Sequence, residues 1–150
     1  MTRELEGKIM DNEDLVREYS NNLTTYEQFT NLMETYICNL LNREQISFHS
    51  ITSRTKSIES LSKKIELKNK YQKLDEITDL SGIRVITYYT DTVDQISKLI
   101  ENEFIIDRDN SIDKRKSLDP KTFLGIVRCI MWFKLILSML KHRNILSIII

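Results

Sequence analysis

GIRVITYY, running from Gly82 to Tyr89, is the most strand-like stretch of this sequence. Most of its residues are β-branched or aromatic, the types that fit a pleated and half-buried surface. Gly82 and Asp91 bound the stretch, as turn-forming residues commonly bound strands. We therefore predict a strand here, and the remaining elements are placed relative to it.

Helical periodicity occurs on both sides of this strand. Apolar residues recur every three or four positions from Asn12 to about Glu44, with no proline or glycine, which predicts one long amphipathic helix or two. A second helix is predicted from Ser57 to Asn69, with Ser57 as its N-cap. After the strand, Asp91 is expected to cap a third helix with its own apolar stripe.

Two weaker strands complete the pattern. Ile46 to Thr52 alternates loosely between apolar and polar residues, and Phe104 to Ile106 is a short apolar run. The order helix, strand, helix, strand, helix, strand predicts an α/β fold. Asp107 to Lys121 is polar and aperiodic, so it is predicted to be a loop that flanks a functional site.

Composition excludes several classes of protein. With 150 residues the chain is one small domain or a fragment of one, and its formal net charge of zero gives no global attraction to nucleic acid or membranes. Met1 to Gly7 lacks an apolar signal region, so a cytoplasmic location is expected. Cys38 and Cys129 suit buried small residues, and with only His49 and His142 a zinc site is not expected. Any metal should be bound by oxygen ligands.

A run of polar residues lies around the first predicted strand-to-helix junction. Arg54 and Lys56 precede the second helix, where backbone N–H groups and the helix dipole add to their positive charge. Lys64 follows within the helix, and Asp79 precedes the GIRVITYY strand. Pyrophosphoryl transfer from ATP needs cations on the triphosphate, a carboxylate for Mg²⁺ and a positioned acceptor hydroxyl. These residue types meet the first two needs.

Three segments resemble RelA/SpoT-type synthetases, small alarmone synthetases among them, which make (p)ppGpp from ATP and GTP. The segment from Arg54 to Lys64 has Arg, Lys two on, Ser six on and Lys ten on, which is similar to the family pattern. The segment from Ile77 to Val85 is similar to the family's helix-to-strand junction, and Asp119-Pro-Lys121 is a weaker match. The resemblance covers roughly residues 46 to 121.

The resemblance implies a mixed sheet with flanking helices, of the nucleotidyltransferase-like kind, preceded by a helical segment that in related small synthetases supports oligomers. It implies that Mg²⁺ is the cofactor, that ATP and GTP or GDP are the substrates, and that neither nucleic acid nor a membrane is a partner. The catalytic residues by resemblance are Arg54, Lys56, Lys64 and Asp79, with Asp79 holding Mg²⁺. The nucleotide-binding residues by resemblance are Arg54, Lys56, Ser60, Lys64, Arg84 and Lys121, with Lys121 on the guanine nucleotide.

Structural alternatives exist for several of these residues. Asp79 could be a helix or turn cap, and Arg84 could be a surface ion-pair partner. Basic residues on a helix usually form a solvated face, which is the interpretation adopted for Lys63, Lys68, Lys70 and Lys73. Within the same fold, transfer to the 3′ end of tRNA is a variant reaction, but no dense basic patch favours it.

The sequence changes character near residue 123. From Pro120 to Ile150 there are no acidic residues and five basic ones, so this stretch carries +5 and residues 1 to 119 carry −5. The family would continue with a Gly-Tyr-x-Ser-x-His strand, which supplies a guanine platform, and later with a Glu-Ile-Gln-Ile-Arg strand. Neither motif is present in this chain.

Reading the codons of Leu124 to Phe133 one base earlier can restore the first motif. Permitted codons then encode Gly-Tyr-Arg-Ser-Leu-His-Tyr-Val-Val. Most codons are chosen among synonyms, but Met131 and Trp132 fix the two valines, and Cys129 leaves only His or Tyr at its position. We therefore hypothesise that one base was lost, or two gained, near codon 123.

This hypothesis divides the chain into an N-terminal helical segment (1–45), a partial synthetase domain (46–123) and an aberrant apolar, basic tail (124–150). The synthetase would then be crippled, marginally stable and prone to aggregate. The alternative function is a non-catalytic remnant that acts through its long helix as an oligomerisation or partner-binding module. If the tail evolved as it stands, it could instead be an amphipathic or membrane-seeking helix.

Overall fold

The structure, a computed structural model, describes residues 11–109 and 111 in full and the backbone of residues 127–134 and 145–149. Its elements are α1 (Asn12–Arg43), β1 (Ser50–Thr55), α2 (Ile58–Lys68), a 3-10 helix (Leu74–Glu76), β2 (Ser81–Thr87), α3 (Thr90–Glu103), β3 (Ile105–Ile106), β4 (Val127–Lys134) and β5 (Ile145–Ile149). The predicted order of helices and strands is confirmed, and the long N-terminal pattern forms a single helix.

One five-stranded sheet has the order β1-β2-β4-β5-β3. The pairs β1–β2, β2–β4 and β4–β5 are antiparallel, whereas β3 and β5 run parallel. The prediction of an α/β fold with a mixed sheet is therefore confirmed. Residues Gly82 to Thr87 of the GIRVITYY stretch lie in β2, which is hydrogen-bonded on both sides, whereas Tyr88 and Tyr89 follow the strand.

Helices α1 and α3 cover one face of the sheet. Ile83 and Val85 of β2 are completely buried against them, as the alternation of a strand requires. This apolar cluster consists of Met33, Ile37, Leu40, Leu41, Ile83, Val85, Ile96, Ile100 and Phe104. Arg84 lies between the two buried β2 residues in sequence, so its side chain belongs to the opposite face.

A second apolar cluster joins the first half of α1 to α2 and to the segment before β2. It consists of Leu15, Tyr19, Tyr26, Leu61, Ile65, Tyr71, Leu74, Ile77 and Leu80. Because α1 contributes to both clusters, it connects the sheet to the segment that carries Asp79. The long helix is therefore part of the same packed unit as the sheet.

The helix ends follow known capping rules, with one correction. Ser57 caps α2 as predicted, because its hydroxyl accepts a hydrogen bond from the Ser60 backbone N–H at 3.3 Å. The prediction for Asp91 was wrong: α3 begins at Thr90 with Tyr89 as an N-cap that makes no side-chain bond. Asp91 lies in the first turn instead, where its negative charge still faces the positive end of the helix dipole.

The first strand begins later than predicted. After α1, Gln45 adopts a left-handed conformation with φ 57°, and the Ile46 N–H donates to the Leu41 carbonyl at 2.9 Å. This is a Schellman-type helix ending. It occupies the residues that were assigned to the start of the strand, so β1 begins only at Ser50.

Part of the C-terminal segment belongs to the sheet. Val127–Lys134 pairs with β2, and Ile145–Ile149 pairs with β4. At these residues the segment forms strands, not the amphipathic helix considered as an alternative. Lys121 and most of the predicted loop lie outside the described residues, and no helix among the described ones is long and apolar enough to cross a membrane.

Candidate functional site

Three of the predicted site residues meet in one ionic cluster. Asp79 accepts a hydrogen bond from Lys56 Nζ to Oδ2 at 3.0 Å and one from Lys64 Nζ to Oδ1 at 2.6 Å. The residues come from the end of β1, from α2 and from the segment before β2. The structure therefore brings together a lysine pair and a carboxylate that are 15 to 23 positions apart in the sequence.

The β1–β2 ladder and helix α2 explain why the side chains of Lys56, Lys64 and Asp79 come together. The ladder between β1 and β2 pairs Thr55 with Ser81, and one step further the Lys56 N–H donates to the Leu80 carbonyl at 2.9 Å. This backbone bond fixes Lys56 beside the segment of Asp79. Lys64 is adjacent in sequence to the buried Ile65 on α2, so its stem starts at the edge of the buried face.

The electrostatics of the cluster favour the ionised carboxylate. Burial raises the pKa of Asp79, but the hydrogen bonds and charges of Lys64 and Lys56 outweigh it and hold the pKa below its ordinary value. The side chains of Lys56, Lys64 and Asp79 are only 8%, 18% and 20% exposed. Two ammonium groups around one carboxylate leave one positive charge in excess, which suits a polyanionic ligand.

An aromatic ring lies beneath the lysines. Lys64 Nζ is 5.9 Å and Lys70 Nζ 5.4 Å from the centre of the Tyr71 ring, within the range of cation–π attraction. Tyr71 is buried, whereas Lys70 is exposed, in agreement with the solvated face predicted for it. The contact with Tyr71 therefore helps to hold the Lys64 ammonium group near Asp79.

Two arginines lie on adjacent strands of the face opposite α1 and α3. Arg54 of β1 pairs with Gly82, and Arg84 of β2 pairs with Thr52, so the two guanidinium groups leave the sheet from neighbouring positions. Arg54 is exposed. Arg84 is half-buried, and within the fully described residues its Nε atom is buried without a hydrogen-bond partner. Such an atom is a free donor for a ligand.

Asp79 is the carboxylate of the ionic cluster, and oxygen ligands of this kind are the ones that Mg²⁺ prefers. Among the residues that the structure describes, no three His, Cys, Asp or Glu side chains gather into a metal site. Mg²⁺ often binds through one or two carboxylates and completes its shell with water and substrate phosphates. A carboxylate has about four acceptor positions, and the two lysines use one on each oxygen. The residues present therefore fit Mg²⁺ that arrives together with phosphates.

The structure also separates the alternatives. Among the described hydrogen bonds, the Asp79 carboxylate accepts from the two lysines and from no backbone N–H, so it acts there as an ion-pair residue rather than as the helix or turn cap considered above. Ser60 is exposed and accepts a hydrogen bond from the Ser57 hydroxyl at 2.9 Å, within the first turn of α2. Its part in nucleotide binding stays a prediction, as does that of Lys121.

Sequence reasoning missed the contribution of α1 to this site. The Tyr19 hydroxyl donates to the Lys56 carbonyl at 2.6 Å, and the hydroxyls of Thr30 and Ser81 are hydrogen-bonded at 2.8 Å. Both residues are buried, although only Tyr19 belongs to the apolar stripe that periodicity predicts. The available signal was chemical: a buried tyrosine or threonine hydroxyl requires a partner.

Comparison with known proteins shows the family and the fold. A family model described as a region found in RelA/SpoT proteins matches residues 53–128, which include the ionic cluster and both arginines. Small alarmone synthetase 1 from Bacillus subtilis, solved with its product pppGpp, has a TM-score of 0.57 at 15% identity, over 89% of this chain and 73% of that one. A GTP pyrophosphokinase family protein from Streptococcus pneumoniae has a TM-score of 0.59 at 19% identity, over 88% and 68%. No curated protein sequence is significantly similar.

Proposed function

Since this chain belongs to the RelA/SpoT family, we propose that it binds ATP with Mg²⁺ and transfers pyrophosphate to the 3′-hydroxyl of GTP or GDP, which yields (p)ppGpp. The observation that carries the proposal is the meeting of Lys56 and Lys64 on Asp79. A half-buried cluster with an excess positive charge is suited to a nucleoside triphosphate.

In this proposal the ammonium group of each lysine binds both Asp79 and phosphate oxygens of ATP. Each ammonium group has three donors, of which the described contacts use one on Asp79. The remaining donors can bind phosphate oxygens without breaking either ion pair. Lys56 and Lys64 thereby stabilise the negative charge that accumulates on the β-phosphate and on the departing AMP.

Arg54 and Arg84 are proposed to hold the nucleoside part of ATP. A guanidinium group is planar, stacks on aromatic rings and donates in a fixed fork. The two arginines leave neighbouring strands on the same sheet face as a diagonal pair, and such pairs lie about 7 to 8 Å apart. The unpartnered Nε of Arg84 gives it a donor for the ligand.

Asp79 is the residue proposed to hold Mg²⁺, which when bound supplies further positive charge against the phosphate oxygens. The low pKa of Asp79 keeps the carboxylate ionised and ready for this role at neutral pH. In the transfer, the 3′-hydroxyl of the acceptor loses its proton to solvent, and its oxygen forms a bond to the β-phosphorus of ATP. The bond from that phosphorus to the α–β bridging oxygen breaks, and AMP leaves with its electron pair.

The acceptor side of the site is proposed to be defective. Lys121 would contact the guanine nucleotide, but the Gly-Tyr-x-Ser-x-His and Glu-Ile-Gln-Ile-Arg motifs are absent from the sequence. An acceptor that is not positioned loses most of the rate advantage of proximity, which reaches about 7 to 11 kcal/mol in well-oriented reactions. We therefore expect ATP binding with very slow synthesis of (p)ppGpp.

Calorimetric titration of the protein with ATP, in the presence of Mg²⁺, tests the proposal. Lys64→Met should weaken binding about 10- to 100-fold, because it removes a charge-assisted contact to phosphate. Lys63→Met is the matched control, since Lys63 is the adjacent lysine and is exposed. Equal affinities for the two variants would contradict the proposal. Chromatography of a long incubation with ATP and GTP then measures the residual synthesis.

A partner-binding module remains the second candidate function. Leu32 and Tyr36 of α1 are 65% and 40% exposed, and large exposed apolar side chains on one helix favour an interaction surface. This candidate predicts that the protein forms oligomers or captures a partner without binding ATP. Light scattering together with the ATP titration distinguishes the two.

A further inference from the structure

The backbone of Lys56 is held from two sides. Its N–H donates to the Leu80 carbonyl at 2.9 Å, and its carbonyl accepts from the Tyr19 hydroxyl at 2.6 Å. The first bond continues the ladder between β1 and β2. The second comes from α1, which is 37 positions earlier in the sequence. The residue that carries the ammonium group is thus fixed by a strand and by a distant helix.

Regular secondary structure leaves the Lys56 carbonyl without its usual partner. The residue lies between the last position of β1 and the N-cap Ser57 of α2, so it is part of neither element. A buried carbonyl needs a donor, because an unpaired one costs as much as a lost hydrogen bond. The Tyr19 hydroxyl is that donor.

Tyr19 is well fixed for this task. It is completely buried, and its ring lies 4.9 Å from that of Tyr26 at an interplanar angle of 44°. Burial also raises the pKa of the Tyr19 hydroxyl, so the hydroxyl stays protonated and able to donate. The ring and hydroxyl therefore form a rigid connection between α1 and the strand-to-helix junction.

A second contact from α1 supports the same junction. The Thr30 hydroxyl is hydrogen-bonded to Ser81 Oγ at 2.8 Å and accepts from the Thr55 hydroxyl at 3.2 Å. Thr55 directly precedes Lys56, and Ser81 follows two residues after Asp79. Helix α1 thus bonds to the backbone of Lys56 through Tyr19. Through Thr30 it also bonds to side chains next to Lys56 and near Asp79.

We infer that Tyr19 is a positioning residue for Lys56, whose hydroxyl holds the junction so that the lysine points at Asp79 and at the phosphates of a bound nucleotide. The inference rests on the proposed ATP site and assigns part of that site to α1. It follows that α1 (Asn12–Arg43) is not separable from the site. The nucleotide site needs α1 to keep its geometry.

A double-mutant cycle tests the inference. The affinities for Mg²⁺-ATP and for adenosine are measured by calorimetry in the wild type, Tyr19→Phe, Lys56→Met and the double variant. Phe keeps the buried ring and removes only the hydroxyl. We expect Tyr19→Phe to weaken ATP binding about tenfold, as for the loss of one charge-assisted contact. Adenosine binding should be unchanged, because adenosine has no phosphates for Lys56.

The cycle separates positioning from general stability. If Tyr19 acts through Lys56, its substitution has no further effect on ATP affinity in the Lys56→Met background. Additive effects, an equal loss of ATP and adenosine binding, or wild-type ATP affinity in Tyr19→Phe would each overturn the inference. Tyr26→Phe is the matched control, since it removes a hydroxyl from the neighbouring buried ring, and it should bind ATP normally.

The titrations distinguish a wrong role for Tyr19 from a wrong proposed function. If the wild type binds ATP but Tyr19→Phe binds it equally well, only the role of Tyr19 is refuted. If the folded wild type does not bind ATP, the proposed function is refuted and the role of Tyr19 falls with it. Thermal melts of all variants show which of them are folded at the temperature of the titrations.

Discussion

Lys64 Nζ and Asp79 Oδ1 lie 2.6 Å apart, although one residue is on α2 and the other precedes β2. The shared carboxylate also binds Lys56 at 3.0 Å, so removing Asp79 would leave two ammonium groups close together. Replacing Asp79 should therefore change two quantities that can be measured separately, the free energy of unfolding and the affinity for ATP. Both can be measured on the isolated protein.

Asp79→Asn should destabilise the fold and remove the effect of Mg²⁺ on ATP affinity. Breaking a buried ion pair costs about 3 to 5 kcal/mol, and because this pair is partly exposed we expect about 1 to 3 kcal/mol of unfolding free energy from urea denaturation. In the wild type, EDTA should weaken ATP binding, whereas the variant should bind equally with and without Mg²⁺. A variant that still responds to Mg²⁺ would show that another residue holds the metal.

The stability of the protein at high pH should depend on Tyr26. Burial, followed by the charges of Glu18 and Asp75, raises the pKa of Tyr26 from 10.0 to about 12. The unfolded chain therefore releases this proton near pH 10, while the folded chain keeps it up to about pH 12. The stability contribution is complete below pH 10 and is lost as the pH rises through about 12, with a slope of about 1.4 kcal/mol per pH unit.

Urea denaturation between pH 9 and pH 12 measures this loss. Tyr26→Phe should fall less steeply than the wild type over this range, although the buried Tyr19 contributes a similar loss in both proteins. Tyr88→Phe is the control, since Tyr88 is 59% exposed, and it should follow the wild type. Identical pH profiles for all three proteins would contradict the assigned burial of Tyr26.

Arg84→Gln should weaken the binding of ATP and of adenosine by similar factors. The proposed role of Arg84 is on the nucleoside, and the loss of one such contact corresponds to about a tenfold change in affinity. Arg43→Gln is the control, because Arg43 lies at the end of α1 and pairs with the adjacent Glu44. If only ATP binding is weakened, Arg84 acts on the phosphates and the nucleoside assignment is wrong.

The coding DNA should contain the missing motifs in a displaced frame. Sequencing from codon 118 to about two hundred bases beyond the stop codon tests the hypothesis of a shift near codon 123. Gly-Tyr-x-Ser-x-His followed by Glu-Ile-Gln-Ile-Arg in that frame would support it. The restored protein should then synthesise (p)ppGpp much faster than the present chain. If the displaced frame encodes neither motif, the hypothesis is wrong.

Local patterns predicted the elements well where side chains and backbone agree. Ser57 caps α2, and the β-branched run after Gly82 forms β2, because both signals act within a few residues. The prediction failed at Asp91, because the N-cap is defined by where the backbone enters the helix. That position can lie one or two residues away from the residue with the best capping side chain. It also misplaced the start of β1, where the ending of α1 occupied the same residues.

The sequence by itself determined which chemistry is available: the order of the elements, the basic residues beside α2 and the carboxylate before β2 are all properties of local spacing. Only the tertiary structure decided that Lys56 and Lys64 converge on Asp79, and that Tyr19 holds the Lys56 carbonyl. These contacts join positions 15 to 37 apart. They depend on sheet register and on the packing of α1 against α2, and no local pattern contains that information.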